Sequence, residues 1–299
     1  MTTFGTTDIG DPCPRHVQLR LAGEARGEYQ TALYGGQLGH KCLEILYDGF
    51  KATKILPDAD EFEAAMAQAT KIVVAMAEAE RRPLSDSVVK NQKTIARDTL
   101  TLIVQYWERF APRENEVVVG TECPVYLTID VDGEEAVFTS HLDLLIQDTT
   151  TGSLRVEDWK FGDEAPCQSY LARNPQLGLY WLSVRYGQVG IPDALGEPVW
   201  TEFGEWPDVY WVHMKNLKPF ARKTTIGDET FVKGDTRPRD RILMRVVHHE
   251  DGEAALRATI ATRVRMMRAG LWPAMPDKQG CRFCDTRRAC PEFTAYGAH

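Results

Sequence analysis

No stretch of this sequence is apolar for long enough to suggest a membrane-spanning helix. The opening Met1-Thr2-Thr3-Phe4-Gly5 has neither the basic nor the apolar region of a secretory leader, so the cytoplasm is the expected compartment. Cysteine is sparse, with seven in 299 residues. In a reducing compartment such residues are thiols or metal ligands rather than disulfides. A phosphate-binding Gly-x-x-x-x-Gly-Lys-Ser/Thr is missing, which removes a nucleotide-driven motor from consideration. Internal repeats and low-complexity tracts are missing too. What remains is an ordinary globular composition, 43% apolar, in a chain long enough to bury a sizeable core.

The net charge of −8 weighs against a nucleic-acid partner, but its distribution does not. Residues 1–212 hold 18 basic against 33 acidic side chains, a balance of −15. Residues 213–299 hold 17 against 10, a balance of +7. Lys215, Lys218, Arg222, Lys223, Lys233, Arg237 and Arg239 belong to that basic stretch. They suit either a surface that tracks phosphates or merely solvated faces.

Periodicity divides the chain. Residues 13–112 read as a helical region: a first helix from Cys13-Pro14-Arg15 to Ala25, a turn bracketed by Gly35, Gly36 and Gly39, and a helix from Leu38 to Tyr47 carrying His40. A long helix follows over 58–82, and another from a Ser85 or Asp86 cap to Phe110. Residues 1–12 read as an irregular lead-in. Over 115–250 the period changes to two. Strands are expected from Val117 to Ile129, from Ala136 to Ile146 after the hairpin signal Asp132-Gly133, and from Leu154 to Phe161. A helix opens at Asn174-Pro175-Gln176. Residues 187–207 read as loop, with strands at 208–214 and 242–248. Residues 251–299 give a last helix and a cysteine-bearing tail. The expectation is one α/β domain over 1–299.

The strands over 142–146 and 154–161 carry the chemistry. Alternation puts Asp158 and Lys160 on one face of a strand, and a hairpin lays Asp143 beside them. Charged groups in mid-sheet are costly unless they bind a metal or each other. Two carboxylates with room for water suit Mg²⁺. An adjacent lysine can orient water or stabilise charge developing on a phosphate. A surface hairpin with an Asp–Lys pair has the same short pattern. His40 shares a helix face with Leu43, which suits a core histidine as well as a ligand.

The full order is His40 on a helix, Asp143 on a strand, Asp158-x-Lys160 on the next strand and Gln176-x-x-x-Tyr180 on a helix. It resembles the PD-(D/E)XK nuclease superfamily, and within it the RecB-like group that includes AddB nuclease domains and CRISPR-associated nucleases. The resemblance implies a mixed central sheet and a metal-dependent deoxyribonuclease. His40, Asp143, Asp158 and the carbonyl of Trp159 would hold Mg²⁺ or Mn²⁺, and Lys160 would be catalytic. Gln176 and Tyr180 would support the lysine and contact DNA. Ser140 departs from the glycine that the group often has three residues before the strand Asp. His141 should point to the opposite face, and Glu122 is a further acidic group on the first strand.

Cys281-x₂-Cys284-x₅-Cys290, preceded by Trp272-Pro273, looks like the C-terminal half of that group's iron–sulfur signature. The resemblance implies a fourth ligand near the N-terminus. Cys13 fits that place; Cys42 is its rival. Four thiolates suit a [4Fe-4S] cluster and equally zinc. Cys123 and Cys167 read as buried thiols. The implied activity is an exonuclease on single-stranded or end-opened DNA in recombination, repair or phage DNA metabolism, with a helicase or recombination partner for any unwinding. CRISPR spacer processing and a DNA-binding subunit that no longer cuts are the alternatives. No membrane partner is implied.

Overall fold

The structure, a computed structural model, describes residues 2–5, 8–9, 11, 13–23, 27–162, 166–172, 174–193, 196–226, 228–246, 250–274, 284, 286 and 289–291. Its helices are α1 (Pro14–Leu21), α2 (Thr31–Thr53), α3 (Ala59–Ala79), α4 (Asp86–Phe110), α5 (Gln168–Leu171), α6 (Pro175–Tyr186) and α7 (Glu250–Arg268). The long helices start where the sequence supplies caps. Asp58 and Glu61 form a reciprocal capping box at α3, each side chain accepting the other's backbone N–H at 2.9 Å. The Ser85 hydroxyl accepts the Val88 N–H at the start of α4. Pro112 follows closely on the end of α4.

The expected turn at Gly35, Gly36 and Gly39 is not there, because all three lie inside α2. A glycine in mid-helix costs roughly 1 kcal/mol against alanine. At Gly39 that cost has a reason, since the ring of Phe161 occupies the space a side chain would need. The glycine allows close approach and marks no turn.

The strands are β1 (Thr2–Gly5), β2 (Glu116–Val131), β3 (Glu134–Asp148), β4 (Leu154–Lys160), β5 (Gln188–Pro192), β6 (Pro198–Thr201), β7 (Asp208–His213), β8 (Thr224–Ile226), β9 (Glu229–Phe231) and β10 (Leu243–Val246). The main sheet runs β10-β7-β4-β3-β2-β5-β6, with β1 added beside β3. It is mixed: β4 pairs parallel with β7, β1 pairs parallel with β3, and the other ladders are antiparallel. Asp132 and Gly133 both have positive φ, 60° and 81°, as a two-residue hairpin turn with the right twist requires. They set the β2–β3 register, from Val131 opposite Glu134 outward.

Two readings of the sequence fail here. Residues 2–5 are strand β1, not lead-in: Thr2–Gly5 lies beside Ala136–Thr139. Nothing local in Thr-Thr-Phe-Gly forces a strand; the exposed edge of β3 does. The loop-rich stretch 187–207 contains β5 and β6, whose glycine and prolines conceal the alternation and suit an edge.

One core lies between the sheet and α2, α3 and α4, where Tyr47, Trp107 and Trp159 pack. The other lies on the opposite face beneath α1, α6 and α7, with Val17, Leu182 and Ile260 against Val156 and Leu145. Helices on both faces thus bury both sides of β3 and β4, and this is why these strands read as apolar runs rather than as clean alternation.

Candidate metal and catalytic centre

The β3–β4 ladder ends at Leu144 opposite Glu157. On the same edge of β3, the β1 ladder ends at Thr139. Between the two registers lie Ser140 to Asp143, at the mouth of a wedge between β1 and β4. Beyond the last paired residue the Trp159 N–H has lost its strand partner. The Asp143 carboxylate accepts it at 2.7 Å, so a buried donor is satisfied. Asp143 is 8% exposed and Asp158 is 1% exposed.

Lys160 reaches back along its own face to Asp158, its Nζ donating to Oδ1 at 2.7 Å. The same ammonium lies 5.3 Å from the ring centroid of Trp211. The second oxygen of Asp158 is buried with no hydrogen-bond partner among the described residues. Burial, with the charge of Asp143 adding to it, outweighs Lys160 and pushes the Asp158 carboxyl up to about 6. Burial opposes the charge on Lys160, but Asp158 and Asp143 together hold its pKa above the ordinary value.

From α2, the His40 Nδ1 stands 3.4 Å from Asp143 Oδ2. Burial presses the imidazole toward neutrality, yet the charge and hydrogen bond of Asp143 leave its pKa raised. Burial likewise raises Asp143, but His40 and Lys160 draw it below the usual carboxylate range. Glu122 completes the group. Its neighbours Thr121 and Cys123 stand opposite Leu144 and Leu142, so Glu122 faces Asp143 across the hairpin. Its φ of 45° lies in the left-handed region, a strained conformation for a side-chain-bearing residue. Burial, with Asp143 adding, pushes its carboxyl up to about 7.

One ligating atom from each of His40, Glu122 and Asp143 can be chosen so that all lie within 4.8 Å of one another. Among the described residues this is the one group of its kind. An imidazole, two carboxylates and the orphaned oxygen of Asp158 nearby fit a divalent cation with mixed N and O donors.

The expected His40 and Asp143 both belong to this group, and the expected Asp158 lies beside it. Asp158 is held by Lys160, two residues on along the same face, and Glu122 joins the group from β2. The sequence did contain the signal. Counting equal steps outward from the Asp132-Gly133 turn brings Glu122 opposite Asp143. Trp159 sends its ring into the helical core, stacked on Tyr47 at 5.7 Å, while its backbone stays beside Asp143.

Gln176 and Tyr180 meet as their spacing implied, the amide donating to the phenol at 2.7 Å. Asn174 caps their helix by accepting from the backbone N–H of Gln176 and of Leu177. The Tyr180 hydroxyl also interacts with Ser140 and feels Asp158, Lys160 and Asp143. Burial first, then Asp158, raise its pKa. The serine where a glycine was expected thus has a role, because it anchors the tyrosine.

The described cysteines are not gathered in this way. Cys13, at the start of α1, and Cys284 and Cys290 are half-buried, and they form no metal-sized group among the described residues. Cys281 lies outside the described residues. Cys42 and Cys123 are buried, and burial pushes both thiols up to about 12. Cys167, expected to be buried, is exposed, since the segment before α5 crosses the surface.

The pattern of the PD-(D/E)XK nuclease superfamily matches residues 11–291. The chain belongs to that superfamily. Membership implies a metal-dependent nuclease. The crystal structure of SSO0001 is similar in broad outline, over 97% of this chain and 86% of that one, at 13% identity and a TM-score of 0.41. The comparison with curated proteins found no match. No helix among the described residues is long and apolar enough to cross a membrane.

Proposed function

We propose that this PD-(D/E)XK protein is a Mg²⁺- or Mn²⁺-dependent exonuclease acting on single-stranded or end-opened DNA. One observation carries the reading: His40, Glu122 and Asp143 converge beside a buried Asp158–Lys160 pair at a gap in the sheet edge. In this reading a divalent cation supplies positive charge to a phosphate oxygen and makes water a better nucleophile at neutral pH. His40, Glu122 and Asp143 would hold it, with Asp158 beside them. The chain's own groups do the remainder. Asp158 and the face of Trp211 fix the ammonium of Lys160, so its charge is already placed where a phosphate gains negative charge. Tyr180, tied to Gln176 and Ser140, would support the lysine and contact the DNA.

The exonuclease mode, the DNA preference and a helicase or recombination partner rest on the motif order shared with the RecB-like group. A [4Fe-4S] cluster on Cys13, Cys281, Cys284 and Cys290 is proposed on the resemblance of the cysteine-bearing tail to the group's iron–sulfur signature, with zinc as the alternative. The test is a degradation time course on single-stranded and duplex DNA labelled at either the 5′ or the 3′ end, with Mg²⁺, Mn²⁺ or chelator. Mononucleotide release from one end supports the proposal. Internal fragments would replace it with an endonuclease, and binding without cleavage in either metal would leave a DNA-binding subunit.

A further inference from the structure

A cavity of about 380 Å³ opens on the helical face of the sheet, at the β4–β7–β10 edge. Arg113, Arg155, Tyr210, Arg239, Asp240 and Leu243 line it. Arg155 belongs to the start of β4 and Lys160 to its end, so the cavity and the carboxylate wedge address opposite ends of that strand. Three guanidiniums around one space repel each other unless counter-charge is present. Arg155 has its own: Glu116 at 2.6 Å and Glu157 at 3.0 Å. Arg113 and Arg239 feel Asp148 and Glu157 respectively but form no close ion pair with a carboxylate among the described residues, and Asp240 is the one acidic side chain in the lining.

Arg239 is nevertheless held in place. Its guanidinium lies 4.7 Å from the ring centroid of Phe110 at the end of α4, which fixes its plane without consuming its donors. Behind it stands Arg109, whose pKa is lowered by burial and by the charge of Arg239. Its own donors turn to the Arg237 carbonyl at 3.0 Å. Two guanidiniums without a paired carboxylate thus line a concave surface together with the ring of Tyr210 and the side chain of Leu243. Planar forks beside an aromatic floor suit a phosphate joined to a flat apolar group, and the volume falls within the range of small-molecule sites.

We propose that this cavity binds the phosphate of a nucleotide unit, with Arg113 and Arg239 as its forks and Tyr210 beneath the base or sugar. The inference rests on the nuclease reading only for the source of that phosphate, which is either a strand crossing the protein's flank or a free nucleotide.

The full chain is titrated in chelator with two probes, thymidine monophosphate and a ten-nucleotide single strand of deoxythymidine, at several salt concentrations. Arg239→Gln and Arg113→Gln should each weaken binding about fivefold and lower the slope of log affinity against log salt by about one. Arg97→Gln, which removes the same charge elsewhere on α4, should do neither. Weakening of both probes identifies a free-nucleotide site, and weakening of the oligonucleotide alone identifies a strand contact. Wild-type affinity and slope in both lining variants would overturn the proposal, as would an equal effect of Arg97→Gln. Melting curves confirm that the variants are folded. No cleavage enters the measurement, so a protein that never cuts DNA would defeat the nuclease reading and leave this one standing.

Discussion

A side-chain carbon added at Gly39 would stand 2.1 Å from the ring of Phe161. The helix bearing His40 is therefore docked against the residue that follows Lys160, one position in sequence from each functional group. Gly39→Ala should push helix and strand apart, cost about 1–3 kcal/mol as an overpacked contact, and weaken Mn²⁺ binding. Phe161→Leu in the same chain should return much of the stability and of the affinity. Calorimetric Mn²⁺ titration with paired melting curves checks this; full affinity in Gly39→Ala alone would show that the contact does not position His40.

Asp143→Ala, Asp158→Ala and Lys160→Ala should each abolish cleavage while the chain stays folded. Removing Lys160 leaves Asp158 buried and unpaired, so Lys160→Ala should lose stability where Asp158→Asn does not. A gel assay on labelled single-stranded DNA reads the first outcome and thermal melting the second. Wild-type rates in Asp158→Ala would end the assignment of this site.

Glu122 is the member of the group that the motif order does not assign. Glu122→Gln and His40→Ala should both weaken Mn²⁺ binding about tenfold or more. The glutamate should also leave a pH signature in metal-free protein. Its carboxyl rises from an ordinary 4.5 to about 7 on folding. Between those values the folded protein holds a proton that the unfolded chain has released, so stability is fully present at low pH and is lost as pH rises toward 7. The difference in melting temperature between wild type and Glu122→Gln should therefore shift against wild type by a few degrees between pH 4.5 and pH 8. A difference that stays flat would mean that Glu122 titrates normally.

If the cluster proposal holds, purified protein is brown, with a broad shoulder near ~400 nm. Cys13→Ser, Cys281→Ser, Cys284→Ser and Cys290→Ser should each bleach it and destabilise the chain, while Cys42→Ser, Cys123→Ser and Cys167→Ser keep the colour. One bound zinc in a colourless protein would replace iron with the same ligands. Loss of metal in Cys42→Ser but not in Cys13→Ser would exchange the fourth ligand.

The parts of the fold legible in the sequence were those fixed by local rules. Ser85, one of the two caps the sequence offered, opened its helix, Asp132-Gly133 made its turn, and Asn174-Pro175 opened the helix of Gln176 and Tyr180. The parts that were not legible depend on distant partners. Thr2–Gly5 is a strand only because β3 offers an edge. Gly39 lies in mid-helix only because Phe161 needs its space. In the site, Asp158 and Lys160 could be paired from alternation along one strand. Glu122 was visible as an acidic group on the first strand, but its place opposite Asp143 depends on the register of a second strand.

His40 and Asp143 are separated in the sequence by all of α3 and α4, whereas Asp143 and Asp158 belong to neighbouring strands of one hairpin. The hairpin closes a short loop and can form early. Bringing α2 to it closes a long one, at a larger entropic cost. The candidate three-residue metal group therefore does not exist in the hairpin alone and comes into being only when the helical layer docks. Affinity for the ion is then a report on completed folding, and the same ion, by binding only the docked state, draws the chain toward it.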